Sequence, residues 1–293
     1  MCSYDKTGNA AAMITDRPIR GFVLLFLSAL AYSITAALVK MATHSAPAGQ
    51  LVFCRFFLGL IALHVARSAG LVEFNAVNRT RLLLRGLFGG LAVICYFFSV
   101  YYGTITHGVI LNSSYPIFIA MFSAVYIGEK LRGAIILPLM AAILGLALIV
   151  NPRVGAVQVA DLAGLMSGIL AGFAVLTVRK LRETDSVWAI IYYFNLIGMI
   201  LSLPLLAIKP VFPSAYGIIL MLGIAVGGNI YQVFLTSAYR YIRASEGSIV
   251  TLSSAVFSAA WGSLFFGETL DAATIAGAVL ILGAGVYLTA NSR

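Results

Sequence analysis

Residues 108–131 read GVILNSSYPIFIAMFSAVYIGEKL, and residues 247–270 read GSIVTLSSAVFSAAWGSLFFGETL. The two stretches align without a gap and end on the same Gly-Glu-x-Leu pattern. Upstream of that ending the alignment repeats Gly108, Ile110, Ser114 and Phe118. The segments that follow, LIVNPR at 148–153 and LTANSR at 288–293, are also similar. The chain is therefore built from two copies of one unit.

The composition places both copies in a membrane. Hydrophobic residues make up 61% of the 293 residues and charged residues 10%, whereas soluble domains have about 45–50% and about 25%. This excludes a disordered chain, and three cysteines exclude a disulfide framework. A bilayer-spanning helix needs about 20 residues. We predict an all-α integral membrane protein with ten transmembrane helices, at roughly 21–39, 48–66, 84–102, 108–127, 134–150, 162–178, 187–208, 216–238, 246–266 and 272–290.

Five helices in each copy have a topological consequence. Because five is odd, the second copy must enter the membrane from the opposite side, as in the inverted repeats of secondary transporters. We predict a cytoplasmic N-terminal tail at 1–20, a first five-helix repeat at 21–151 and a second, inverted repeat at 152–293. The substrate site of such a fold is expected near the membrane midplane, between the two halves.

The basic residues indicate the orientation. With the N-terminus inside, 15 of the 19 Lys and Arg lie in cytoplasmic segments and 3 lie outside. This count places Arg85 in a cytoplasmic segment and leaves only Arg55 within a helix. The positive-inside rule then predicts that both termini are cytoplasmic, in a plasma membrane of the bacterial inner-membrane kind. The net charge of +9 is explained by orientation, so no nucleic-acid partner is expected.

Several short motifs carry a family resemblance. They are Arg55-Phe56, Ser114-Tyr115-Pro116, and the Gly-Glu pairs after the fourth and ninth apolar runs. With these, from about residue 20 to 290, the chain resembles the ten-helix drug/metabolite transporter superfamily, and in particular its EamA-type branch of amino-acid and metabolite exporters. Two positions differ from the family pattern. Ala255 stands where the proline is often repeated, and Tyr32 stands where a tryptophan is common.

All ten acidic residues lie in tails, loops or helix ends. Glu129, Glu268 and Asp271 lie at the starts of the fifth and tenth predicted helices, where a negative charge complements the helix dipole. With no carboxylate inside a predicted span, proton coupling through a buried acid is not expected. We predict facilitated diffusion or exchange, with no metal and no cofactor.

Polar and aromatic residues near the middle of the predicted spans form the candidate site. Pro116 frees a backbone carbonyl in the fourth helix and is a candidate hinge, whereas Ala255 predicts an unbroken ninth helix. Arg55 could bind a substrate carboxylate or reach towards the interface; its counterpart in the second copy is Asn195. The hydroxyl and aromatic side chains could equally pack helices. The candidate substrate-binding residues are Asn112, Ser113, Ser114, Tyr115, Thr251, Ser254, Tyr32, Tyr96, Arg55, Asn229, Gln232 and Trp261.

These observations predict a secondary carrier that exports small polar metabolites by alternating access, with amino acids as the first expectation; export follows from the resemblance alone. The alternatives are an exchanger of anionic metabolites, such as carboxylates or phosphate esters, and a membrane receptor or scaffold that does not transport. An enzyme is disfavoured, because the sequence has no HExxH motif, no buried Asp pair and no Gly-x-Ser. The expected partners are a small-molecule substrate and the lipid bilayer, and the architecture allows a monomer.

Overall fold

The computed structural model describes residues 18–102, 105–126, 128, 133–150, 159–208, 210–267 and 272–290. Glu129, Glu268, Asp271 and most of the N-terminal tail lie outside these residues. Within the described ranges the chain forms α-helices, one 3₁₀ turn at Gly133–Ile135 and no strand. The helices are α1 Pro18–Ala42, α2 Ala48–Ser68, α3 Arg79–Tyr102, α4 Ile105–Asn112, α5 Tyr115–Tyr126, α6 Ile136–Val150, α7 Val159–Leu181, α8 Val187–Leu206, α9 Ala215–Ala238, α10 Ala244–Thr251, α11 Ser253–Phe266 and α12 Ala272–Ala290.

Every predicted apolar run contains helix, and the fourth and ninth runs each contain two helices in series. Among the described residues, seven helical stretches are long and apolar enough to cross a membrane. These are α1, α2, α3, α7, α8, α9 and the stretch Ala244–Phe266 formed by α10 and α11. The count of ten spans is not confirmed by these lengths and stays a prediction.

The interruption of the ninth run corrects the sequence analysis. Ala255 predicted an unbroken helix there, and this prediction is wrong, because α10 ends at Thr251, the repeat equivalent of Asn112 at the end of α4. The Thr251 hydroxyl donates to the Ser248 carbonyl at 2.7 Å, and the Ser253 hydroxyl donates to the Val250 carbonyl at 2.8 Å. Hydroxyls that bond to the preceding turn bend helices. The second copy therefore interrupts its helix without a proline.

The glycines of the two Gly-Glu pairs have a structural explanation. Gly128 follows α5 with φ 75°, and Gly267 follows α11 with φ 68°. Both are left-handed, a conformation that residues with a Cβ rarely adopt. The repeated glycine therefore ends the same helix in each copy.

Equivalent pairs of helices form the main contacts between the two halves. The most extensive contacts join α3 to α7 and α1 to α9. Because α1 and α7 open the two copies, and α3 and α9 are the third predicted spans, exchanging the copies converts one contact into the other. The helices α6 and α12, which close the two copies, also pack against each other. The first and third spans of each half are thus buried against the other half.

Hydrogen bonds join the two halves at both ends of α2. Beyond its C-terminal end, Asp185 Oδ1 accepts the backbone N–H groups of Val77 at 2.7 Å and Asn78 at 3.2 Å. At its N-terminal end, the Gln50 side chain donates to the Val211 carbonyl at 2.8 Å and accepts the Val211 N–H at 3.0 Å. The space between the halves is therefore bounded by a polar contact at each end.

Candidate functional site

A cavity of about 70 Å³ lies among the helices of both halves. Its walls are mostly apolar and aromatic. Ligand pockets usually have volumes of about 300–1,000 Å³, so we expect the cavity to widen when it holds a metabolite. The lining residues are Tyr32, Thr35, Ala36, Arg55, Arg85, Gly89, Ala92, Val93, Tyr96, Phe97, Asn112, Tyr115, Ala171, Ala174, Val175, Phe194, Gly228, Tyr231, Gln232 and Leu235.

Two buried arginines face this cavity. Arg55 of α2 is 5% exposed and Arg85 of α3 is 3% exposed. The prediction that placed Arg85 in a cytoplasmic segment, with Arg55 alone inside a helix, is wrong. The reason is that α3 begins at Arg79 and not at 84, so Arg85 lies six residues inside the helix, about 9 Å along its axis.

The guanidinium groups share one aromatic neighbour. The Cζ atom of Arg85 lies 4.3 Å from the centroid of the Phe194 ring, and that of Arg55 lies 5.5 Å from it. Both distances are within the range of cation–π attraction. In addition, Arg85 Nη2 donates to Gln232 Oε1 of α9 at 2.9 Å. Gln232 and Phe194 therefore fix the position of Arg85 between the two halves.

Two glycines provide the space for these guanidinium groups. A Cβ atom at Gly89, one turn beyond Arg85 on α3, would collide with Arg85 Nη1. A Cβ atom at Gly228 of α9 would lie 2.7 Å from Arg55 Nε. Both glycines belong to Gly-Gly pairs, at 89–90 and 227–228.

No acidic side chain of the cavity wall balances the positive charges of the two arginines. None of the described residues that line the cavity is Asp or Glu. Arg55 Nη1, Arg85 Nε and Arg85 Nη1 are buried and have no hydrogen-bond partner in the described part of the chain. Unpaired charges at membrane depth are costly and usually functional. The arrangement therefore favours a negatively charged group as the ligand.

Asn112 lies at the centre of a hydrogen-bond chain beside the arginines. The Tyr32 hydroxyl donates to Asn112 Oδ1 at 3.1 Å, and Asn112 Nδ2 donates to the Ser167 hydroxyl at 3.0 Å. These bonds join α1, α4 and α7. The Tyr115 hydroxyl contacts that of Thr251, which joins α5 to α10. Asn112 thus holds three helices together at the point where α4 ends.

Six of the predicted substrate-binding residues line the cavity, and the others do not. Asn229 bonds with Asn195 at 2.9 Å, and Trp261 Nε1 donates to the Ser33 hydroxyl at 3.1 Å. The six lining residues are Tyr32, Arg55, Tyr96, Asn112, Tyr115 and Gln232, whereas Ser113, Ser114, Thr251, Ser254, Asn229, Trp261 and the hinge candidate Pro116 lie outside the lining.

Sequence reasoning missed Arg85 and Phe194. The available signal for Arg85 was the run of glycines at 86, 89 and 90, which leaves room beside a long side chain. In the described residues, no three His, Cys, Asp or Glu side chains come together.

Residues 19–151 and residues 158–290 each match the EamA-like transporter family. The chain is 30% identical to the pseudopaline exporter CntI of Pseudomonas aeruginosa, over 96% of this chain and 100% of that protein. It is 27% identical to an uncharacterized transporter of Helicobacter pylori, over 92% of this chain and 94% of that one. An S-adenosylmethionine uptake transporter of Rickettsia felis is 21% identical over 93% of this chain and 92% of its own.

A solved crystal structure shares the fold. It aligns with a TM-score of 0.76 over 92% of this chain and 96% of the other chain, at 17% sequence identity.

Proposed function

Because this chain belongs to the EamA-like transporter family, we propose that it is a secondary carrier that moves small carboxylate-bearing metabolites across the membrane by alternating access. The chain is a multi-pass membrane transporter and not an enzyme. Amino acids and their derivatives are the first substrates to test.

The observation that supports this substrate class is the pair of buried arginines. Arg55 and Arg85 retain N–H groups without partners beside the cavity, and a carboxylate forms strong, charge-assisted hydrogen bonds with guanidinium groups. The tyrosines at 32, 96 and 231 and Phe194 provide apolar surface for the rest of the solute. Asn112 already bonds with Tyr32 and Ser167, so we assign it the role of holding the cavity wall.

Export and uncoupled transport complete the proposal. Export is supported by similarity to an exporter over 96% of this chain and 100% of that exporter. One of the more distant relatives is an uptake transporter. No acidic side chain lines the cavity among the described residues. We therefore expect transport to persist when the pH gradient is collapsed; abolition of uphill transport by a protonophore alone would contradict this.

Counterflow tests the proposed function. Purified protein in liposomes, loaded with an unlabelled solute, should transiently accumulate the labelled solute from outside. We expect counterflow for at least one carboxylate-bearing amino acid or derivative, and little for its amide or ester, which lacks the carboxylate. A receptor or scaffold would bind without counterflow. Folded protein that gives no counterflow across the panel would overturn the proposal.

Ten spans are proposed by joining α4 with α5 and α10 with α11, with repeats at 21–151 and 152–293. Both termini are then cytoplasmic, in the bacterial inner membrane. Without Arg85, the basic residues divide 14 inside to 3 outside, which still supports this orientation.

In a cysteine-free background, an impermeant maleimide added outside should label Phe212→Cys and spare Ser68→Cys. Both positions are exposed, so the opposite labelling pattern would reverse the topology.

Gly89→Ala should impair transport without unfolding the protein. The new methyl group would displace the Arg85 guanidinium, the end of a flexible side chain, and no rigid backbone. We expect the flux of the best carboxylate-bearing substrate to fall about tenfold, as expected when one hydrogen bond to a charged group is lost. Gly283→Ala in α12 is the matched control, since no atom lies within 4 Å of its Cβ position. Equal fluxes in the two variants would contradict this role of Gly89.

A further inference from the structure

We propose that Arg55 and Arg85 bind two separate anionic groups of one solute, so that the carrier selects metabolites with two carboxylates over those with one. The inference rests on the proposed function and deepens it by naming the substrate class. Amino acids with a neutral side chain would then be poor substrates, and amino dicarboxylates and related short dicarboxylic acids would be good ones.

Charge balance favours a solute with two carboxylates. The two guanidinium groups carry two positive charges, and the described cavity wall contributes no carboxylate. A zwitterionic amino acid has no net charge, so it leaves the total charge of the occupied cavity unchanged. A dicarboxylic acid without an ammonium group offsets both charges, and an amino dicarboxylate, with a net charge of −1, offsets one of them. In a low-dielectric site such compensation is much stronger than in water.

The separation of the two arginines suits a short solute with two anionic groups. They come from different helices and lie 4.3 Å and 5.5 Å from the same Phe194 centroid, so about 10 Å at most separates their Cζ atoms, each within cation–π range of the ring. A short solute can reach both guanidinium groups at once. The apolar Phe194 ring is the neighbour that both cations share.

Both arginines have buried N–H groups without partners among the described residues. Gln232 occupies only Nη2 of Arg85, and Nε and Nη1 of the same side chain have no partner among the described residues. Arg55 separately retains an unpartnered Nη1. Each arginine therefore keeps buried N–H donors of its own. One small carboxylate would not accept hydrogen bonds from both sets of donors.

Both positive charges come from the first half of the chain. The repeat equivalent of Arg55 is Asn195, and alignment of the two Gly-Gly pairs places Gly223 opposite Arg85. The second half contributes neutral partners, namely Phe194, Gly228 and Gln232. The first half thus supplies the positive charges of the anion site, and the second half supplies its neutral contacts.

Competition binding tests this inference. Binding of glutamate is compared with that of glutamine, and binding of succinate with that of succinamate, by displacement of a labelled substrate identified by counterflow. We expect the wild-type protein to bind the dicarboxylate at least ten times more tightly than its monoamide. In both Arg55→Gln and Arg85→Gln this ratio should fall close to one. Arg79→Gln, at an exposed position of α3, should keep the wild-type ratio.

The outcomes separate this inference from the proposed function. Wild-type protein that shows counterflow but binds monoamide and dicarboxylate equally would overturn the two-anion site and leave the carrier proposal intact. A ratio that falls in Arg55→Gln but not in Arg85→Gln would also overturn it, because Arg85 would then only hold Gln232. If no carboxylate-bearing solute shows counterflow, both proposals fail.

Discussion

Arg85→Met should raise the thermal stability of the purified protein and nearly abolish its transport. An ion taken out of water without a compensating charge costs several kcal/mol. The substitution removes that cost and leaves Gln232 Oε1 without its donor, a loss of about 1–3 kcal/mol. The net effect on folding is therefore stabilising, by an amount that a melting curve in detergent detects.

Transport should respond in the opposite direction. The variant loses charge-assisted bonds of about 1.5–3 kcal/mol each, so we expect the flux of the best carboxylate-bearing substrate to fall about 100-fold or more. Arg79→Met, at an exposed position of the same helix, should change neither property. A fall in both stability and flux would show that Arg85 mainly supports the fold.

Asp185→Ala should increase access to the cavity from the side of the protein where Asp185 contacts Val77 and Asn78. The buried carboxylate accepts the N–H groups of Val77 and Asn78, and its loss removes two charge-assisted bonds across the interface. At about 1.5–3 kcal/mol per bond, the population of conformations open on this side should rise at least tenfold. In a cysteine-free background, we expect a maleimide to label Ala174→Cys, which lines the cavity, about ten times faster from that side.

A neighbouring acid provides the control for Asp185. Glu183 forms an ion pair with Lys180 at 2.9 Å, and both side chains are partly exposed. Such pairs contribute little, so Glu183→Ala should leave the labelling rate at Ala174→Cys unchanged. Equal labelling rates in the two variants would show that the Asp185 contact does not limit access to the cavity.

The helices were largely predictable because the bilayer fixes the length of an apolar run. The run predicted at 216–238 corresponds to α9 at Ala215–Ala238, and that at 187–208 corresponds to α8 at Val187–Leu206. The largest difference in the first half is at α3, whose first turn carries Arg79 and Arg81. Hydrophobicity does not detect a helix that continues into charged residues, and for this reason the count of basic residues places Arg85 in a cytoplasmic segment.

The site was less predictable than the helices. Polar residues in mid-span pointed to Tyr32, Arg55 and Asn112, and the structure places these three side chains in the cavity wall. The partnership of Arg85 with Gln232 joins positions 147 residues apart, and no local pattern encodes it. No proline marks the break at Thr251, because hydroxyl side chains there bond to the backbone carbonyls of the preceding turn instead.

The packing of α1 on α9 and of α3 on α7 has a consequence for biogenesis. Helices are made in chain order, so α1 is inserted long before its partner α9 exists. Until then the surfaces of α1 and α3 that are buried in the finished protein face lipid or neighbouring insertion machinery. The N-terminal half is therefore an unfinished assembly rather than a domain that folds alone. Two halves expressed as separate chains should each be degraded when made singly and should accumulate when made together.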